Sequence, residues 1–97
     1  MRVFGRDRLD RFCKGHADAA PALQAWFHEA SNASWKRPVD IKRRYASASF
    51  LTNDRVIFNI KGNRYRLITI VDYAAALVVI RWIGTHAQYS KIDAGKV

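Results

Sequence analysis

The dipeptide Gly62-Asn63 separates two runs that belong in strands, and no other feature of the chain constrains its fold as tightly. Arg55 to Lys61 and Arg64 to Asp72 are rich in Val, Ile, Phe and Tyr, side chains that suit a pleated, half-buried surface. Between such runs, Gly-Asn predicts a β-hairpin with a two-residue turn. The pairing follows: Lys61 faces Arg64, Ile60 faces Tyr65, Asn59 faces Arg66 and Phe58 faces Leu67. Because side chains alternate along a strand, one face carries Lys61, Arg64, Asn59 and Arg66. The other carries Ile60, Tyr65, Phe58 and Leu67, and needs a covering layer.

The first third of the chain supplies that layer. Leu9, Phe12, Cys13 and His16 recur at i, i+3, i+4 and i+7, one face of a helix, with Asp7 placed to cap it. Asp18 and Pro21 fit a second helix start, and Leu23, Trp26, Phe27 and Ala30 repeat the helical spacing. His16 ends the first stripe and reads as a packing residue rather than a ligand. Arg2 to Gly5 forms a short extended start, Ser31 to Pro38 a connection and Val39 to Tyr45 a short helix. After the hairpin, Ala76 to Gly84 is a third strand, and Thr85 to Ile92 a short helix or irregular tail. The expected class is α+β, with two N-terminal helices packed on a small antiparallel sheet in one domain spanning residues 1–97.

Charge narrows the partners. Seventeen Lys and Arg against eight Asp and Glu leave a net +9 on 97 residues. Polyanions come first: RNA, DNA, a ribosome or an acidic protein segment. An anionic membrane surface is the weaker option, and added solubility is the bland one. Lys36-Arg37 and Lys42-Arg43-Arg44 form a broken basic stretch with Trp35 and Tyr45 nearby. Cations meet phosphates and rings stack on bases; the alternative is a solvated basic face with Trp35 tucked into the core. Cys13 is the only cysteine, which excludes an intrachain disulfide, and it sits in an apolar stripe as packing. The start lacks a secretory apolar segment, and the longest apolar run, Ala74 to Ile80, is far too short to span a bilayer. A soluble cytoplasmic protein with no membrane partner is expected.

The hairpin's polar face carries the chemistry. Like charges opposite one another destabilise a sheet, and no carboxylate within the hairpin relieves Lys61 and Arg64. A bound phosphate would; the alternative is a solvated hairpin tip, where Lys and Arg are common. A four-residue loop at Asp72 to Ala75 places Arg81 opposite Arg66, and just past that strand His86 and Tyr89 lie three residues apart, neighbours on one helical turn. RNA can be cut by its own 2′-hydroxyl attacking the adjacent phosphate. That reaction needs a base, an acid for the leaving oxygen and cations for the crowded phosphorane. Metal or other cofactor chemistry is not expected: Asp and Glu are scattered, His28-Glu29 lacks the second histidine of a metalloprotease motif and reads as surface, and there is no Gly-rich phosphate loop.

Val56-Ile-Phe-Asn-Ile-Lys-Gly-Asn-Arg-Tyr-Arg-Leu-Ile68, followed by Val79-Ile-Arg-Trp-Ile-Gly-Thr-His-Ala-Gln-Tyr-Ser-Lys-Ile-Asp93, resembles the HigB toxin pattern among RelE-like ribonucleases of type II toxin–antitoxin systems. The resemblance implies the RelE-like microbial ribonuclease fold and endoribonuclease cleavage of mRNA, often during translation on the ribosome. It also implies a HigA-type antitoxin that neutralises the toxin, the complex repressing its own operon, so that DNA is met only through the antitoxin. Arg66 matches the family arginine at the scissile phosphate, and Lys61 a basic residue on the preceding strand. Asn59 stands where many relatives have a second lysine, and His86 where RelE-type members often have an arginine. Tyr89 approximates the C-terminal tyrosine. The catalytic set is then Lys61, Arg66, His86 and Tyr89. Lys36, Arg37, Lys42, Arg43, Arg44, Asn59, Arg64 and Arg81 would bind RNA. A non-catalytic RNA- or ribosome-binding module is the other function class that the same charge permits.

Overall fold

The computed structural model describes residues 1–97. Strand β1 (Arg2–Phe4) leads to helix α1 (Arg6–Gly15), a 3₁₀ turn at Ala17–Ala19 and helix α2 (Ala20–Asn32). Helix α3 (Pro38–Arg44) follows, then β2 (Ser49–Phe50), β3 (Arg55–Ile60), β4 (Tyr65–Asp72), β5 (Leu77–Thr85) and the one-turn helix α4 (His86–Tyr89). The sheet order is β1-β5-β4-β3-β2. The class is α+β, as the periodicities predict. The edges differ from that reading: β1 joins β5 in parallel, and β2 adds a two-residue antiparallel edge beside β3.

Both N-terminal helices start without the expected caps. Gly5, at φ 97°, precedes α1, and Asp7 sits in its first turn, paired with Arg11. Ala19 precedes α2, and Asp18 is spent elsewhere. Their apolar stripes do what spacing predicts. Leu9, Leu23, Trp26 and Ala30 join Val56, Phe58, Ile60, Tyr65, Leu67, Val71, Val78 and Ile80 in one core. Phe58 is its hub: Trp26 meets it edge-on at 5.4 Å, Trp35 stacks at 6.1 Å and Tyr45 meets it edge-on at 5.1 Å. Fully burying a side chain of this size stabilises by about 1.5–3 kcal/mol. His16 is a packing residue, stacked on Phe12 at 4.1 Å.

The hairpin pairs as expected up to Ile60↔Tyr65, with Asn59↔Arg66 and Phe58↔Leu67 behind it. Its tip does not. The left-handed residues are Lys61 (φ 52°) and Gly62 (φ 65°), and the Arg64 N–H donates to Lys61 O at 3.3 Å. Lys61 therefore leaves the strand one residue early, and the alternation that would place it beside Asn59 and Arg66 stops applying.

The third strand also departs from its expected register. Asp72 pairs with Leu77, so the loop is Tyr73 to Ala76. A bulge then lets Ile68 face Trp82 while Thr69 faces Ile80, leaving Arg81 as the unpaired extra residue. Gly84, not Arg81, lies opposite Arg66. The residues after α4 return over the sheet face away from the helices. Buried Arg55 donates there to Ala94 O and Val97 O, and Arg81 Nε donates to Val97 O at 3.4 Å. No helix is long and apolar enough to cross a membrane.

Candidate RNA-binding site

Three neighbouring strands bring Asn59, Arg66 and Gly84 into one cross-strand row near the hairpin end, on the face away from the helices. Asn59 sets the direction of Arg66. Its Oδ1 accepts from Arg66 Nη1, and its Nδ2 donates to Ser47 O at 3.4 Å. Arg66 Nη1 also reaches Asn63 Oδ1 at 3.5 Å. These contacts use Nη1 alone, which leaves the planar fork of Nε and Nη2 for two oxygens of an anion such as phosphate.

An aromatic wall stands beside the arginine. The Arg66 Cζ lies over the Tyr89 ring, 5.7 Å from its centroid, and Tyr89 is tilted against Trp82 at 6.3 Å. The Trp82 indole covers Gly84, where an added Cβ would lie 2.5 Å from Trp82 Cζ2. Only glycine leaves room for the ring. Helix α4 is fixed by a capping box: Gln88 N–H donates to Thr85 Oγ1 at 3.1 Å, and Thr85 N–H to Gln88 Oε1 at 2.9 Å. The His86 N–H donates to Arg64 O at 3.0 Å, tying the start of α4 to the start of β4. His86 is exposed and Tyr89 half-buried. The structure thus brings Arg66, Asn59 and Tyr89 together, with His86 one turn before Tyr89.

Lys61 and Arg64 stand apart from this row. Asp18 Oδ2 accepts from Lys61 Nζ at 3.2 Å and from Arg64 Nη1 at 3.1 Å, and Asp18 Oδ1 accepts from Tyr65 Oη at 2.6 Å. The like-charged pair at the tip therefore has its own carboxylate, from the 3₁₀ turn before α2. A bound phosphate is therefore not needed to relieve the pair. Hydrogen bonds from Tyr65 and then Lys61 hold the Asp18 carboxyl down to about 2, and the same Asp18 contact raises the Tyr65 phenol above its ordinary range.

The basic stretch around α3 is a charged surface over a packed aromatic layer. Trp35 is buried, and the half-buried Tyr45 donates its hydroxyl to Glu29 Oε2 at 2.6 Å. Neither ring is free to stack on a base. Burial and the Glu29 contact push the Tyr45 phenol up, while Tyr45 and then Arg44 lower Glu29. Glu29 is thus a half-buried hub rather than a plain surface residue. Arg44 pairs with Glu29, Arg43 lies 3.6 Å from Asp40, and Lys42 Nζ donates to Ala48 O at 2.8 Å. Lys36 and Arg37 keep exposed side chains and give backbone N–H groups to Asp40 Oδ2. Arg81 is exposed at the bulge beside the returning C-terminal residues.

The sequence placed none of Trp82, Asn63 and Asp18 in the site: Asn63 read only as a turn residue, Asp18 only as a helix start and Trp82 only as part of a strand. Trp82 carried one legible sign, a glycine two residues on in the same strand, but its position relative to Arg66 depends on the bulge. No three His, Cys, Asp or Glu side chains converge anywhere in the chain.

A family model described as HigB_toxin, RelE-like toxic component of a toxin-antitoxin system, matches residues 19–92. The match covers α2 to α4 and every side chain of the Arg66 row, while β1 and α1 precede it. No curated protein matches the chain.

Proposed function

Because this chain belongs to the HigB family of RelE-like toxins, whose members are paired with an antitoxin, we propose that it is a metal-independent endoribonuclease that cuts mRNA during translation on the ribosome, restrained by a HigA-type antitoxin. The observation that carries this reading is the Arg66 guanidinium, aimed by Asn59 and flanked by Tyr89, with exposed His86 at the start of the same one-turn helix as Tyr89.

In the proposed reaction the RNA 2′-oxygen attacks the adjacent phosphorus and the bond to the 5′-oxygen breaks. The products are a 2′,3′-cyclic phosphate and a 5′-hydroxyl. Arg66 holds the non-bridging oxygens through its unengaged N–H groups and stabilises the charge that builds in the phosphorane. His86 moves protons, since an imidazole serves as base or acid near neutral pH. The Tyr89 hydroxyl assists that transfer, and its ring positions the nucleotide. Lys61 and Arg64 join by exchanging Asp18 for phosphate. The exchange costs little, because both ion pairs to Asp18 lie in solvent, where such pairs are weak.

The test is cleavage of a translated message, with a 2′-deoxy substitution at the scissile nucleotide as the control. Cutting should leave a 2′,3′-cyclic phosphate and a 5′-hydroxyl, fail on the deoxy substrate and fail with Arg66→Ala. Fragments ending in a 3′-hydroxyl and a 5′-phosphate, as water attack at a metal centre would give, would falsify the mechanism. Intact message alongside growth arrest would favour the non-catalytic binding module instead.

A further inference from the structure

A second basic and aromatic surface lies around the corner from Arg66, and it includes residues that the family match does not reach. Strand β1 covers β5 only from Leu77 to Val79. Gly5, at φ 97°, then turns the chain directly into α1; a Cβ there would lie 3.0 Å from Ile80 O. The remaining edge of β5 therefore faces α1 and not another strand. Arg8, Arg11 and Phe12 of α1 and Trp82 and Ile83 of β5 line a groove of about 320 Å³ there, enough for a small ligand.

The lining has one chemistry. Phe12, Trp82 and Ile83 give an apolar wall with a broad ring, and Arg8 and Arg11 give two cations, with no carboxylate among the five residues. Arg8 makes no salt bridge, and Arg11 pairs only with exposed Asp7 at 3.3 Å, a contact worth little. The groove is continuous with the site described above: Trp82 is 6.3 Å from Tyr89, whose ring centroid is 5.7 Å from the Arg66 Cζ.

We infer that this groove binds a nucleotide flanking the scissile phosphate, its base stacked on Trp82 and its phosphate met by Arg8 and Arg11. The inference rests on the ribonuclease reading and extends it to a single-stranded RNA track running from Arg66 over Tyr89 and Trp82 to α1. Aromatic stacking and phosphate contacts bind single strands with little sequence preference, which suits an enzyme that meets many messages.

The chain reports on its own groove. Trp26 and Trp35 are 2% and 7% exposed, whereas Trp82 is half-buried at the surface. Titrating the full chain with a short, uncleavable 2′-O-methyl oligoribonucleotide should quench the Trp82 fluorescence. Trp82→Leu should remove the quench and weaken binding by about 5- to 150-fold, the range of one lost base stack, while Trp82→Phe restores most of the affinity. Arg8→Ala, at an exposed position, should lower the salt slope by about 0.7, as expected for one single-strand phosphate contact. Absence of a quench, or wild-type affinity and salt slope in both Trp82→Leu and Arg8→Ala, would overturn the inference. So would tighter binding of a Glu-rich peptide than of the oligoribonucleotide at equal charge. The two readings fail separately. Quenching without any cleavage sinks the nuclease, and cleavage indifferent to Arg8 and Trp82 sinks the groove.

Discussion

The Arg66 guanidinium lies over the face of the Tyr89 ring, 5.7 Å from its centroid, although 22 intervening residues separate their backbones (67–88). The ring shields one side of the cation and Asn59 fixes its direction, so the arginine is organised before any RNA arrives. Removing a preorganised charge-stabilising donor costs about 10²- to 10³-fold in rate. Arg66→Ala should lose that much cleavage of a translated message. Arg66→Lys should recover little of it, since an ammonium cannot reproduce the planar fork. Denaturation midpoints should stay near wild type for both.

Asp18 makes the tip of the hairpin sensitive to acid. Its carboxyl is held at about 2 in the folded chain, below the ordinary value of 3.8. A depressed carboxylate contributes stability that is present above the unfolded value and is lost as pH falls through the folded one. Stability measured by denaturant titration should therefore decline from about pH 4 towards pH 2. Asp18→Asn should be less stable than wild type at pH 5 and show a shallower decline in that window. Equal slopes would mean that the Tyr65, Lys61 and Arg64 contacts contribute nothing.

Gly84 is predicted to tolerate no side chain. Overpacking of this kind costs about 1–3 kcal/mol, and here it falls on the Trp82 indole. Gly84→Ala should shift the emission of Trp82 and lower cleavage together, because the ring that supports Tyr89 is displaced. Unchanged emission would show that the indole has another resting place.

The aromatics of the basic stretch should matter for stability and not for RNA. Trp35→Ala should destabilise by about 3–5 kcal/mol. Tyr45→Phe should cost about 1.5–3 kcal/mol by removing a hydrogen bond to a charged group. Oligoribonucleotide affinity should be unaltered in Tyr45→Phe, measured below its unfolding midpoint. A clear loss of affinity would return these rings to the binding surface.

What could be read from the chain alone was local. The pairing Ile60↔Tyr65 and its continuation to Phe58↔Leu67 follow from a glycine turn and two-residue alternation. The stripes through Leu9 and through Leu23, Trp26 and Ala30 follow from the pitch of a helix. The charge balance pointed to polyanions without any coordinates.

Contacts between distant segments were decided in three dimensions. Asp18 meets Lys61 and Arg64 only because the core draws the 3₁₀ turn before α2 under the hairpin tip. Arg66 faces Gly84 only because one extra residue at Arg81 shifts the β4–β5 register. Sequence periodicity determines which way a side chain leaves its own element; which side chain it then meets depends on bulges, turns and packing summed over the whole chain, and those become fixed only when the core closes.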